Sequence, residues 1–302
     1  MTRRGWFLFV GLAVIWGTPY LFIKVALEGF TPASLVFLRT AIGAALLLPL
    51  ALVRGSLTLD VLRSRWRAVA LFTVVELAIP WVLLSDAERR ITSSLAGLLV
   101  ASVPMVGAVL ARLAGGHEPL GRRRLVGLVA GLGGVAVLLG FDLRGSDALT
   151  VVEMAVVVLG YAVGPMVIAR RLGDLPILGV VAASLGLCAL AYAPVGIAQL
   201  PPALPPWPVL GAVAGLGLLC TAAAFLMFFR LIAEVGPVRA TVVAYLNPAV
   251  AVAAGVALLG EAFTTATAVG FALILGGSWF ATGARAAPAR PEEQPLPQAQ
   301  AG

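Results

Sequence analysis

The chain has 302 residues, of which 61% are hydrophobic and 12% charged, with a mean hydropathy of +1.03. Soluble domains carry about 25% charged residues, so this composition excludes an ordinary water-soluble core. A net charge of +7 would fit a nucleic-acid partner, but recurring apolar runs of membrane-span length assign the basic residues to the loops of a membrane protein and argue against one.

Ten spans are predicted, at about 5–27, 33–53, 67–85, 92–113, 123–141, 148–170, 177–198, 207–231, 238–259 and 265–284. Met1-Thr2-Arg3-Arg4 runs straight into the first, which outlasts the apolar core of a cleavable signal and is expected to stay. Turn signals stand at Gly29 to Pro32, Gly115 to Arg122, Gly173 to Pro176, Pro201 to Pro208 and Gly236-Pro237. Cys188 and Cys220 fall inside spans and read as small packing residues, with no metal or disulfide spacing. The segment 285–302, rich in Pro, Ala, Gln and Glu, is expected to be a disordered cytoplasmic tail.

Charge sets the expected orientation. With the N-terminus inside, sixteen Arg fall at inside loops, and only Arg89, Arg90 and Arg144 fall outside. Lys24 and Arg39 lie within spans. The positive-inside rule then places both termini in the cytoplasm of a bacterial inner membrane.

The stretch Thr241 to Glu261 has an earlier counterpart, Thr92 to Glu118. Laying Pro104 on Pro248 carries Ala96 onto Ala240 and Val106 onto Val250. After a slip of one residue, Glu118 meets Glu261, Gly127 meets Gly270, and Gly133-Gly134 meets Gly276-Gly277. Pro49 and Pro194 match in spans two and seven. Two copies with an odd number of spans must enter the membrane from opposite sides. The expected fold is therefore an all-α integral membrane protein of ten transmembrane helices in two inverted-topology five-helix repeats, 1–142 and 143–284.

Trp16-Gly17-Thr18-Pro19, Arg39, the Ala96-to-Pro104 run, and Tyr245-Leu246-Asn247-Pro248 through Gly260-Glu261 resemble the EamA branch of the drug/metabolite transporter superfamily. The resemblance spans about residues 8–284. It implies a ten-helix bundle that exports or exchanges small metabolites.

Ionisable residues at membrane depth are the first functional candidates. Glu76 lies mid-span, too deep to reach water by extending its side chain, and shares a helical face with Thr73 and Pro80. It reads either as a substrate or proton site, and so as the coupling residue, or as a protonated acid bonded to a neighbouring helix. Arg39 either pairs with Glu76 or shares a water-filled cavity with it, or else bends out to the headgroups. Lys24 is expected to bend outward, although Trp16, Tyr20 and Lys24 form a stripe at helical spacing. Glu153 reads as interfacial.

Pro19, Pro104, Pro165 and Pro248 are candidate hinges, because a proline inside a span releases a backbone carbonyl. Pro80 has the same chemistry. Tyr245, Asn247 and Tyr161 lie beside these prolines and are candidate substrate contacts with Trp16, Tyr20, Arg39, Glu76 and Trp81. For Trp16 and Trp81, and for Phe225, Phe228 and Phe229 as a gate, plain packing is the alternative. Trp6, Trp66, Trp207 and Trp279 suit the membrane interface. Gly127/Gly131, Gly160/Gly164 and Gly211/Gly215 suit close helix packing.

His117 is the single histidine and sits in a loop, so no triad, paired-acid site or metal cluster can be assembled, and neither an enzyme nor a cofactor is expected. The expected function is a secondary active transporter of small metabolites, amino-acid-like compounds or drugs, working by alternating access. Its partners would be a small-molecule substrate, the bilayer and, as candidate coupling ion, the proton, in a monomer or homodimer. The alternative is a membrane receptor or scaffold that binds a small molecule without moving it.

Overall fold

The computed structural model describes residues 2–57, 59–114, 122–142, 148–236 and 240–282. His117, Glu118, Arg144, Pro237 and the tail from Arg285 lie outside them. The regular structure among the described residues is helical throughout. Eight helices are long and apolar enough to cross a bilayer: α1 (Arg3–Ala26), α2 (Pro32–Val53), α3 (Arg63–Ala87), α4 (Ser93–Leu113), α6 (Ala148–Leu172), α7 (Ile177–Ala198), α8 (Trp207–Val235) and α9 (Val242–Leu259). The helices α5 (Arg122–Asp142) and α10 (Thr265–Thr282) carry shorter apolar stretches, Leu125–Leu138 and Thr265–Phe280.

The bundle presents large apolar side chains outward and keeps hydroxyls within. Phe7, Val53, Leu113, Leu190 and Trp207 are exposed, whereas Ser34, Thr40, Ser184, Thr221 and Ser278 are buried. Lipid solvates leucine as well as another leucine does, so close packing and hydrogen bonds must hold the helices together. Ser34 Oγ of α2 accordingly donates to the Gly196 carbonyl of α7 at 2.9 Å. Trp6, Trp66, Trp207 and Trp279 are exposed near helix ends, where an aromatic belt would sit.

Glycine sets the closest approaches. A Cβ on Gly277 of α10 would lie 2.5 Å from the Gly131 amide nitrogen and 2.6 Å from the Gly127 carbonyl oxygen of α5. These two helices touch backbone to backbone, as the Gly127/Gly131 spacing predicts. On Gly217 of α8 a Cβ would stand 2.6 Å from Ile42 of α2.

Prolines interrupt several helices. Pro19, Pro104 and Pro248 each occupy the first turn of a restarted segment, Pro19–Ala26, Val103–Leu113 and Asn247–Leu259. Hydroxyls meet carbonyls around the α4 break: Ser102 Oγ donates to Leu99 at 2.6 Å, and Ser278 Oγ of α10 donates to Ala101 at 3.1 Å. Pro165 differs, because it is exposed within continuous helix, with a π-helical stretch Ile168–Leu172 just beyond. Upstream of Pro80 the turns widen into a π-helix, Thr73–Ala78. The proline cannot donate to the preceding turn, and Tyr192 of α7 donates to the nearby Ala78 carbonyl at 2.8 Å.

The α5/α10 contact can be tested with adjacent glycines. Gly277→Ala is expected to cost about 1–3 kcal/mol, because backbone must move to admit the methyl. Gly276→Ala, with nothing within 4 Å of the new Cβ, is expected to stay within about 0.5 kcal/mol or to stabilise. Thermal unfolding of the two variants in detergent checks the difference.

Candidate functional site

Arg39 lies about 10 Å along α2 from the nearer helix end, well inside the apolar layer. It is only 7% exposed. Its Nε donates to Thr221 Oγ1 of α8 at 3.0 Å, and its guanidinium carbon lies 3.6 Å from the centre of the Trp81 ring. Thr221 sits in a π-helical stretch, Gly215–Ala223, and donates its own hydroxyl proton five residues back, to Leu216 at 2.8 Å. Gly43, one turn beyond Arg39, leaves room for the Thr221 methyl and so brings α2 and α8 together. Such widened turns recur at functional sites because they re-aim one side chain without ending the helix.

Two sequence expectations for Arg39, snorkelling and an ion pair with Glu76, do not hold. It does not bend out to the headgroups, since it is buried under Trp81. It also forms no ion pair with Glu76; none of the ion pairs among the described residues includes Arg39. The reason is rotational, because α2 turns Arg39 toward α8 and the ring of Trp81. Tyr20 of α1 and Tyr161 of α6 lie within electrostatic reach of the guanidinium. The centre therefore gathers Tyr20, Arg39, Trp81, Tyr161 and Thr221 from five helices.

Glu76 faces α6 instead. Its carboxylate fills the space that a side chain at Gly164 would need, and Gly160 one turn earlier admits the Val75 carbonyl and Pro80. Oε2 of Glu76 is fully buried and has no hydrogen-bond partner. Glu76 and Pro80 thus share the side of α3 that meets α6, and Thr73 donates to its own helix, at Val69, over 2.9 Å. Tyr161 lies within electrostatic reach of both Glu76 and Arg39.

The remaining candidates stand elsewhere. Trp16 packs edge-on against Phe225 and tilted against Phe228, which is the packing alternative for these rings. The Tyr245 hydroxyl donates to the Ser278 carbonyl at 3.5 Å. Asn247 presents its carbonyl to the close approach at Gly17, and its buried Oδ1 has no partner.

A second polar group, missed in the sequence, closes the end of the bundle opposite the N-terminus. Lys24 does not extend away; its Nζ donates to the carbonyls of Glu88 at 2.6 Å and Ile91 at 2.9 Å, capping the end of α3. Glu261, just past α9, accepts from the backbone nitrogens of Ser93 at 2.7 Å and Ser94 at 3.0 Å, capping the start of α4. Glu88 is fully buried, with neither carboxylate oxygen hydrogen-bonded. Burial pushes its pKa well up, and Lys24 only partly opposes this. Glu153, expected at the interface, is buried and paired with Arg90, which also holds Asp86 at 2.8 Å and Thr150 at 2.7 Å. Glu88 and Glu261 lie just beyond the span ends and read as loop in sequence, and only the packing of distant segments brings them to Lys24.

The sequence pattern of the EamA-like transporter family matches the chain twice, over residues 3–140 and 149–283. The chain belongs to the EamA-like transporter family. EamA-like proteins are membrane transporters of small molecules, not enzymes. Among its relatives is the Escherichia coli (strain K12) protein described as "Uncharacterized inner membrane transporter YedA", 30% identical over 257 residues, 83% of this chain and 81% of that one. Its counterpart in Escherichia coli O157:H7 matches equally well. A solved structure titled "Crystal structure of protein" shares the fold, with a TM-score of 0.66 and 24% identity over 93% of this chain and 97% of that one.

The Glu261 cap has a pH signature. Burial alone would raise its pKa, but the hydrogen bonds from Ser94 and Ser93 outweigh that and hold it below the ordinary carboxylate range. Its contribution is thus complete above the unfolded value of about 4.3 and is lost as pH falls through the lowered folded value. Glu261→Ala is expected to cost about 1 kcal/mol at neutral pH, with the gap to the parent shrinking in acid. A pH series of unfolding midpoints checks it, and an equal gap at both pH extremes would reject the cap.

Proposed function

We propose that this chain is a secondary active transporter that exports or exchanges small metabolites, amino-acid-like compounds or drugs by alternating access. The observation that carries the reading is the buried centre around Arg39. It is assembled from α1, α2, α3, α6 and α8, so it joins both halves of the chain at membrane depth. On this reading α5 and α10 complete ten spans, and residues 143–284 repeat 1–142 upside down.

The helix pairings support that symmetry. Helices α2 and α7, α4 and α9, and α5 and α10 pack as pairs of equivalents, while α3 against α6 answers α8 against α1. The restarts at Val103 and Asn247 fall at equivalent places. Pro19, Pro104 and Pro248 would be the bends around which the helices rock, with Pro165 acting beside them. The charge bias puts both termini in the cytoplasm, and the Escherichia coli relatives support an inner-membrane location. The Lys24, Glu88 and Glu261 cluster would then close the outer gate.

Glu76 is the proposed coupling residue, because it combines a mid-membrane position with a buried, unpartnered carboxylate oxygen. In proteoliposomes, Glu76→Gln is expected to abolish flux driven by a pH gradient while leaving substrate exchange in place. Normal pH-driven flux by the variant would remove Glu76 from coupling. Saturable binding with no flux under any gradient would favour the receptor reading.

A further inference from the structure

We infer that the substrate is an organic monocarboxylate with an apolar or aromatic body, and that its carboxylate docks end-on against the two terminal nitrogens of Arg39. The inference rests on the transport reading above and names the substrate class of the same site.

The first argument is charge balance. A guanidinium stays protonated at any accessible pH, so burial cannot neutralise it. The centre supplies Arg39 with a hydroxyl dipole and a ring face, but with no carboxylate in ion-pair contact among the described residues. A buried charge without a partner is unfavourable, and the missing unit of negative charge is what a bound substrate would bring.

The second argument is hydrogen-bond geometry. Nε is engaged by Thr221, and the stacked Trp81 covers a ring-sized face of the guanidinium. The edge formed by Nη1 and Nη2 has no acceptor among the described residues. Two parallel N–H donors in one plane match the two oxygens of a carboxylate. A spherical halide would use this edge poorly.

The third argument concerns what the site would reject. A phosphate dianion needs more than one cation, and Lys24 spends its ammonium on the Glu88 and Ile91 carbonyls. The guanidinium lies against the Trp81 ring, and the Tyr20 and Tyr161 rings are within its electrostatic reach, so an aromatic setting for an apolar body is at hand.

The test uses the full chain in lipid nanodiscs and one body with four headgroups: 3-phenylpropionate (anion), phenylalanine (zwitterion), 3-phenylpropanamide (neutral) and phenethylamine (cation). A straight-chain series from acetate to octanoate covers other body sizes, and sodium chloride and inorganic phosphate are the anion controls. Equilibrium dialysis is expected to show binding by one or more of the carboxylates and none by the amide or the amine. Arg39→Gln is expected to weaken that binding by about a hundredfold. Arg39→Lys, which keeps the charge but loses the fork, should weaken it less. Should Arg39→Gln fail to fold, the charge series on the parent chain together with Arg39→Lys decides the matter.

Binding of the amide or amine as tightly as the acid, unaltered binding by Arg39→Gln, saturation by chloride or phosphate alone, or silence from every carboxylate would each overturn the assignment. Counterflow of the bound carboxylate in proteoliposomes separates the two levels. Carboxylate binding without counterflow leaves the docking intact and removes the transport reading. Counterflow of the amine, untouched in Arg39→Gln, does the reverse.

Discussion

A guanidinium held in the middle of an apolar bundle without an ionic partner is the constraint on which the rest of the structure turns. Trp81 and Thr221 hold Arg39 in place but do not cancel its charge. A cation over an aromatic face contributes about 2 kcal/mol in a dry site, far less than full hydration would. The surrounding architecture exists to make that arrangement tolerable. Gly43 lets α8 approach, the widened turn at Gly215–Ala223 aims the Thr221 hydroxyl, and Tyr20 and Tyr161 add polar edges nearby.

The same devices recur where no charge is involved. Glycines bring α5 and α10 into backbone contact, and hydroxyls from neighbouring residues meet carbonyls near the α4 break. These are the means available to helices in lipid, which gain nothing from burying one leucine against another. At the end opposite the N-terminus, by contrast, the fold uses charge. Lys24 and Glu261 cap two helix ends that meet there, while Glu88 stays buried without a hydrogen bond to its carboxylate.

On the repeat proposed above, the two halves have diverged in chemistry while keeping their geometry. The offset that carries Pro49 onto Pro194 carries Arg39 onto Ser184 and Glu76 onto Thr221. One half thus supplies both ionisable groups, and the other supplies hydroxyls at the equivalent places. Ser184 Oγ is buried without a partner, as is Glu76 Oε2. A symmetric scaffold holding an asymmetric set of charges gives a substrate one preferred orientation, which a pair of identical half-sites would not.

The amino-acid sequence by itself determined the solvent of the protein and the positions of its helices. Hydropathy fixes where the chain crosses lipid, and the observed helices fall close to the predicted spans because each must satisfy its own backbone bonds. It also made legible the prolines at which α1, α4 and α9 restart, the glycine contact of α5, and the ionisable side chains of Arg39 and Glu76 inside spans. It could not say which way those two side chains face. That depends on helix rotation, on the wide turns upstream of Pro80 and around Thr221, and on which neighbour packs where, all of which are set by contacts between residues far apart in the chain. Only the tertiary structure separated Arg39 from Glu76, drew Thr221 out of an apolar run, moved Trp16 into an aromatic cluster with Phe225 and Phe228, and assembled Lys24, Glu88 and Glu261 from three separate turns. Periodicity along one helix carries no information about the rotation of the next.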